Sequence, residues 1–168
     1  MFTALLLVLS TPISASAYAT TGCSWRDLFL YIDYRYVNGN FRTAFQQAAS
    51  RYTYSTDMDL YPSDSGGNSF TAEHSNYGAT GWEGYSTWSC NWFSRTTAAT
   101  AKLNQYYPSG FEPITRLKVV WEHELGHGIG LAHVGTVQRV MYSSASDAYF
   151  SGVTDLTFDE INGVNALY

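Results

Sequence analysis

Lysine is scarce in this chain: only Lys102 and Lys118 occur in 168 residues, and the other seven basic residues are arginines scattered along the sequence. Charge as a whole is thin, at 14% of residues with a formal net charge of −5. With no basic run, a nucleic-acid surface is excluded as the working face. Cysteine is limited to Cys23 and Cys90, too few for a small disulfide-stapled scaffold or a four-thiolate zinc finger. Beyond residue 9 there is no long apolar run, which argues against a spanning helix of about 20 residues. What the chain does have is apolar and aromatic side chains, 45% and 17% of residues. Such a composition does not fit a disordered polymer, and the length suits one compact domain with a substantial core.

The N-terminus carries the single apolar run. Phe2 to Leu9 holds four leucines and is followed by the breakers Ser10, Thr11 and Pro12. Two A-x-A sites follow, Ala15-Ser16-Ala17 and Ala17-Tyr18-Ala19. The pattern reads as a secretory signal peptide over residues 1–19, cleaved after Ala17 or Ala19. The competing reading is a buried N-terminal helix. Export favours an oxidised Cys23–Cys90 pair over a free thiol acting as metal ligand or latency switch.

Periodicity organises the remainder. Leu28, Leu30, Ile32, Tyr34 and Tyr36 recur at every second position with Asp33 and Arg35 on the other face, so Leu28–Val37 is expected to be a half-buried strand. Asn38-Gly39 marks a turn and Asn40 a helix N-cap, after which Phe41, Ala44, Phe45, Ala48, Ala49 and Tyr52 recur at helical spacing through Tyr54. Short strands are expected at Met58–Tyr61 and Thr96–Asn104, with Gly- and Ser-rich loops and short strands over 62–91. A second helix opens at Glu112-Pro113 or Thr115 and carries Leu117, Val120, Trp121, Glu124, Leu125 and Gly128 on one stripe. Gly126, Gly128 and Gly130 are expected to end it. Residues 134–155 read as loop. Thr157 and Glu160 then form a capping box for a last helix that buries Ile161, Val164 and Leu167. The sum is one α+β domain.

The chemistry is concentrated in His123-Glu124-Leu125-Gly126-His127-Gly128-Ile129-Gly130-Leu131-Ala132-His133. On a helix, residues four apart share a face, so His123 and His127 present two imidazoles to one metal. A turn at Gly130 brings His133 in as third ligand, leaving a fourth zinc position for water. Glu124, beside the first ligand, is placed to act as general base on that water. Chance delivers the whole pattern in only about six shuffles per million of this composition.

The motif H-E-x-x-H-x-x-G-x-x-H resembles that of the metzincin metallopeptidases. Met141, eight residues after His133, stands where that family places the methionine of its Met-turn, a hydrophobic floor under the metal. Within metzincins the chain looks most like a matrixin, on the Met141-Tyr142 pair and the tail Leu156–Tyr168. The likeness is strong over residues 113–168, moderate over 23–54 and poor over 55–95. It implies a small twisted mixed sheet with an N-terminal helix, a central zinc-binding helix and a C-terminal helix, in a catalytic domain over 20–168. It also implies that Asp159 braces the Met-turn from below.

The resemblance further implies a secreted zinc endopeptidase acting on protein or peptide substrates, expected as a monomer without membrane attachment once the leader is removed. Several family features depart. The latency motif P-R-C-G-x-P-D is missing, Ser143 replaces the proline that often follows Met-Tyr, and only His74 is left over for a second zinc. Asp57, Asp59, Asp64, Asn68 and Glu73 could supply oxygen ligands to Ca²⁺, but their spacing fits no EF-hand and a solvated acidic loop is the stronger reading. The aromatic segment Trp82, Tyr85, Trp88, Trp92 and Phe93 reads as core and cleft wall ahead of a carbohydrate or peptide platform. Two alternatives to the peptidase are a zinc-containing binding module and a hydrolase of non-peptide amides.

Overall fold

The computed structural model describes residues 18–168, so the expected signal peptide, apart from Tyr18 and Ala19, lies outside the described residues. In chain order the elements are β1 (Ala19–Thr20), β2 (Phe29–Asp33), α1 (Gly39–Ser55), β3 (Asp59–Ser63), β4 (Phe70–Ser75), β5 (Gly84–Cys90) and β6 (Thr96–Asn104). They continue with α2 (Ile114–Gly128), β7 (Leu131–Ala132), α3 (Ala145–Phe150) and α4 (Phe158–Leu167). This is the expected α+β arrangement. Five strands form one mixed sheet in the order β3-β2-β4-β6-β5, parallel except for β5, which runs antiparallel to β6 along one edge. Helices α1 and α2 pack against each other and against the sheet. Phe45, Tyr52, Phe70, Leu117, Trp121 and Leu125 fill the space between them.

The expected helix over 41–54 is α1, and its apolar positions Phe41, Ala44, Phe45, Ala48, Ala49 and Tyr52 are the ones buried. Its N-cap is Asn38, not Asn40, whose side-chain amide instead donates to Gly110 O. Strand β2 is shorter than its sequence pattern. Asp33 is buried and accepts from the backbone N–H and guanidinium of Arg35, which turns the chain and leaves Tyr36 outside. Leu28 precedes the strand and is also exposed.

Of the three glycines expected to end α2, Gly130 does so, while Gly126 and Gly128 have a different job. Gly126 and Gly128 lie inside the helix, where a Cβ would stand 2.6 Å from Met141 Sδ and 2.1 Å from the Phe70 ring. Only Gly130 has a left-handed backbone (φ 108), and a Cβ there would meet Cys23 O at 2.5 Å. The chain reverses at Gly130 into β7, which pairs antiparallel with β1. Carbonyls at the helix end are taken by Trp25, whose indole N–H donates to Gly128 O at 2.8 Å, and by Tyr168, whose hydroxyl donates to Ile129 O at 2.8 Å.

Helix α3 falls in the stretch that reads as loop. With six residues it is too short to show a helical period, and Ser144 caps it by accepting from Asp147 N–H. The capping box of α4 forms as expected between Thr157 and Glu160. Cys23 and Cys90 are disulfide-bonded, tying the segment after β1 to the end of β5. Among the described residues no helix is long and apolar enough to cross a membrane.

Candidate active site

Helix α2 presents His123 and His127 one turn apart, and the reversal at Gly130 delivers His133 to the same point. The three Nε2 atoms lie 3.0–3.1 Å from one another. The opposite ring nitrogens of two of them explain why. His123 Nδ1 is 2.7 Å from Val140 O and His127 Nδ1 is 2.9 Å from Leu131 O. A carbonyl can only accept, so each Nδ1 carries the hydrogen and each Nε2 keeps its lone pair. Burial, reinforced by the neighbouring imidazole, pushes His123 down to about 3; burial pushes His127 down to about 4 and lowers His133 as well. Three neutral imidazoles therefore bring their Nε2 atoms to one small space, with the lone pairs of His123 and His127 directed into it, an arrangement that suits a cation between them. That donor set fits a catalytic zinc, which takes three protein nitrogens and keeps one position open.

Met141 is buried below this group, with its side chain against Gly126. Asp159 forms an ion pair with Arg139 in the segment leading to Met141. The direct bond to that methionine comes from the next residue: Met141 N–H donates to Glu160 Oε1 at 3.1 Å. Glu160 thus serves both the α4 capping box and the turn below the three histidines, a second task that its local sequence does not reveal.

Glu124 is 4% exposed and stands on the cleft side of α2. Burial pushes its carboxyl up to about 8, opposed by the Ser86 hydroxyl, which donates to Oε2 at 2.7 Å. A divalent cation close by would favour the charged carboxylate again.

These groups line a cleft of about 770 Å³ whose other wall is β5, where Gly84, Tyr85, Ser86 and Trp88 border it. Trp88 stacks over His127 with ring centroids 6.0 Å apart. Beyond it Trp92 and Phe93 stand almost fully exposed at the hairpin tip, so the aromatic segment is cleft wall and surface, not core. Ser143, Ser144, Ala145 and Ser146 form the adjoining wall. A clasp closes that end. Ser146 N–H donates to Glu83 Oε1 at 2.7 Å, and Arg116 bonds Ser146 Oγ at 3.0 Å and Glu112 at 2.7 Å.

The remaining expectations fall elsewhere. His74 lies on β4, stacked on Phe41 at 4.5 Å. Asp64 is paired with Arg42 and Glu73 with Lys102.

A profile of the matrixin family matches residues 38–168. The chain belongs to the matrixin family. Its similarity to individual relatives is partial: 35% identity over 65 residues with interstitial collagenase of Bos taurus, covering 39% of this chain and 13% of that protein. A putative matrix metalloproteinase of Spodoptera frugiperda ascovirus 1a is 38% identical over 47 residues, 27% of this chain and 12% of its own length. The matches thus span about an eighth of those relatives. Matrixins are zinc-dependent, and the three-histidine group here suits that requirement. The matched span takes in α1 and both walls of the cleft, including residues 55–95, over which the resemblance is poor.

Proposed function

We propose that this chain is a secreted zinc endopeptidase with His123, His127 and His133 as ligands and Glu124 as general base. The observation that carries the reading is the convergence of three neutral imidazole nitrogens beside a buried carboxylate on one wall of a long cleft. When bound, zinc supplies Lewis acidity that polarises the scissile carbonyl and makes water easier to deprotonate. The protein supplies the proton traffic. Glu124 takes a proton as the water oxygen attacks the carbonyl carbon, then delivers it to the leaving amine nitrogen. The carbonyl partners Val140 and Leu131 hold the His123 and His127 rings in orientation while this happens.

An extended peptide suits the cleft because β5 is a sheet edge: β6 pairs with one side and no described strand pairs with the other. Its free N–H and C=O groups can add a substrate strand. The side chain next to the cleaved bond then enters the end walled by residues 143–146 and closed by the Glu83–Ser146–Arg116 clasp.

Export rests on the leader pattern and agrees with the disulfide, a bond of oxidising compartments. Cleavage after Ala17 is favoured over Ala19, because Ala19 pairs with Ala132 in β1 and Tyr18 packs on Gly163.

A mixed peptide library incubated with the zinc-loaded protein, with and without a chelator, tests the reading. Cleavage that disappears on chelation and returns with zinc is the expected result. A zinc-loaded protein that cleaves nothing would favour the binding-module alternative.

A further inference from the structure

Strand β5 reaches into the catalytic wall at two alternate positions. Gly84 and Ser86 share the face turned toward α2, while Tyr85 and Thr87 between and after them are exposed. Both inward positions are occupied by the Glu124 carboxylate. A Cβ on Gly84 would stand 2.2 Å from Oε1 and 2.7 Å from Cδ, closer than any side chain can approach. Ser86 Oγ lies 2.7 Å from Oε2 and 2.9 Å from the Glu124 carbonyl oxygen. A hydroxyl has one hydrogen to give, and an ionised carboxylate is the stronger acceptor at the shorter distance. Oε2 is therefore tethered, whereas Oε1 takes no hydrogen bond from a described residue, in a side chain that lines the cleft.

We propose that Ser86 is a positioning residue for Glu124: its hydroxyl fixes Oε2, the missing side chain of Gly84 makes room for Oε1, and Oε1 is thereby the oxygen that handles the proton. This rests on the peptidase reading above. In the cycle, a water O–H bond breaks and its proton passes to Oε1 as the water oxygen bonds the carbonyl carbon. That proton then moves to the amine nitrogen as the C–N bond breaks. The Ser86 hydrogen stays on Ser86 throughout.

The geometry separates turnover from binding. Ser86 touches the base and not the ligand nitrogens, so its loss leaves the metal in place and the outer edge of β5 intact. Glutamate has three side-chain torsions, and without the tether the carboxylate samples orientations in which neither oxygen faces the substrate carbonyl. Proton transfer depends on hydrogen-bond reach before anything else.

The test measures kcat, KM and zinc content for wild type, Ser86→Ala, Ser86→Thr and Gly84→Ala on one fluorogenic peptide. Ser86→Ala is expected to lower kcat by about 10- to 100-fold, part of the 10²–10⁴ that a positioned base contributes. KM should change by less than about twofold and zinc should remain at one per chain, since uniform binding is untouched. Ser86→Thr, which keeps the hydroxyl, restores most of the turnover. Gly84→Ala lowers kcat at least as far, because its methyl group displaces Oε1. If thermal melting shows Ser86→Ala to be unfolded, Ser86→Cys, similar in size and weak as a donor, takes its place in the comparison. An unchanged kcat in Ser86→Ala, or a loss that appears only in KM or zinc content, overturns the positioning role. A wild-type protein with zinc bound and no cleavage overturns the peptidase reading itself, and the two failures are told apart by that control.

Discussion

Helix α2 buries ten of its fifteen residues, whereas β5, across the cleft, leaves five of its seven exposed. The helix is gripped on nearly every side: α1 and the sheet enclose Leu117, Trp121 and Leu125, Phe70 presses on Gly128, and Met141 presses on Gly126. The strand is held along one edge by β6 and at its end by the disulfide, and is open along the other. The difference divides the labour. Candidate ligands need sub-ångström placement, and the tightly packed helix gives it to His123 and His127, while the exposed His133 is placed by the reversal at Gly130. A surface that must accept an extended chain keeps unspent hydrogen bonds at an edge.

Breaking the helix wall should have the largest effect. His127→Ala removes one of three nitrogens and is expected to abolish both zinc retention and peptide cleavage, read as metal content and turnover on the same sample. The fold should survive, because His127 contributes no core packing comparable to that of Trp121. Releasing the strand wall comes next. Replacing Cys23 and Cys90 with Ala opens a loop of 67 residues' separation, expected to cost about 4 kcal/mol in the chain-entropy account. Denaturant titration reads the loss, and hydrogen exchange should show it concentrated at the β5 end and the β1–β7 pair.

Smaller again is the reversal that joins the two ends of the ligand set. Gly130→Ala places a Cβ 2.5 Å from Cys23 O at a left-handed φ, at a cost of about 1–3 kcal/mol. Because His133 hangs on that turn, weakened zinc affinity should accompany the drop in melting temperature. The smallest effect is remote from both walls. Thr157→Ala deletes the α4 cap for about 1 kcal/mol, and melting should shift by a few degrees while zinc content stays whole.

The same contrast governs what the sequence discloses. Helix α2 is legible because its information is local: ligand spacing of four, an apolar stripe and Gly130 all fall within one short segment. The capping box of α4 and the buried face of α1 are legible for the same reason. Strand β5 is not. Exposed Tyr85, Trp88 and Ser89 blur its alternation, and which strand forms the sheet edge depends on pairing between distant segments. Ser86 and Gly84 look like ordinary loop residues until the strand is laid beside Glu124, 38 positions further along for Ser86. Gly126 and Gly128 mislead for a related reason: their missing side chains answer to Met141 and Phe70, not to the local backbone. Helix α3 is too short to show a helical period, and the clasp of Glu83, Arg116 and Ser146 exists only through contacts between separate segments.

In the proposed cycle one wall would hold the metal while Glu124 on that same wall moves the proton, and Glu124→Gln separates the two roles. The amide keeps the size of the side chain and removes its basicity, without touching a ligand nitrogen. One zinc per chain, an unchanged melting temperature to within a few degrees, and no measurable peptide cleavage are expected. Zinc-dependent cleavage at the wild-type rate by Glu124→Gln would contradict that cycle.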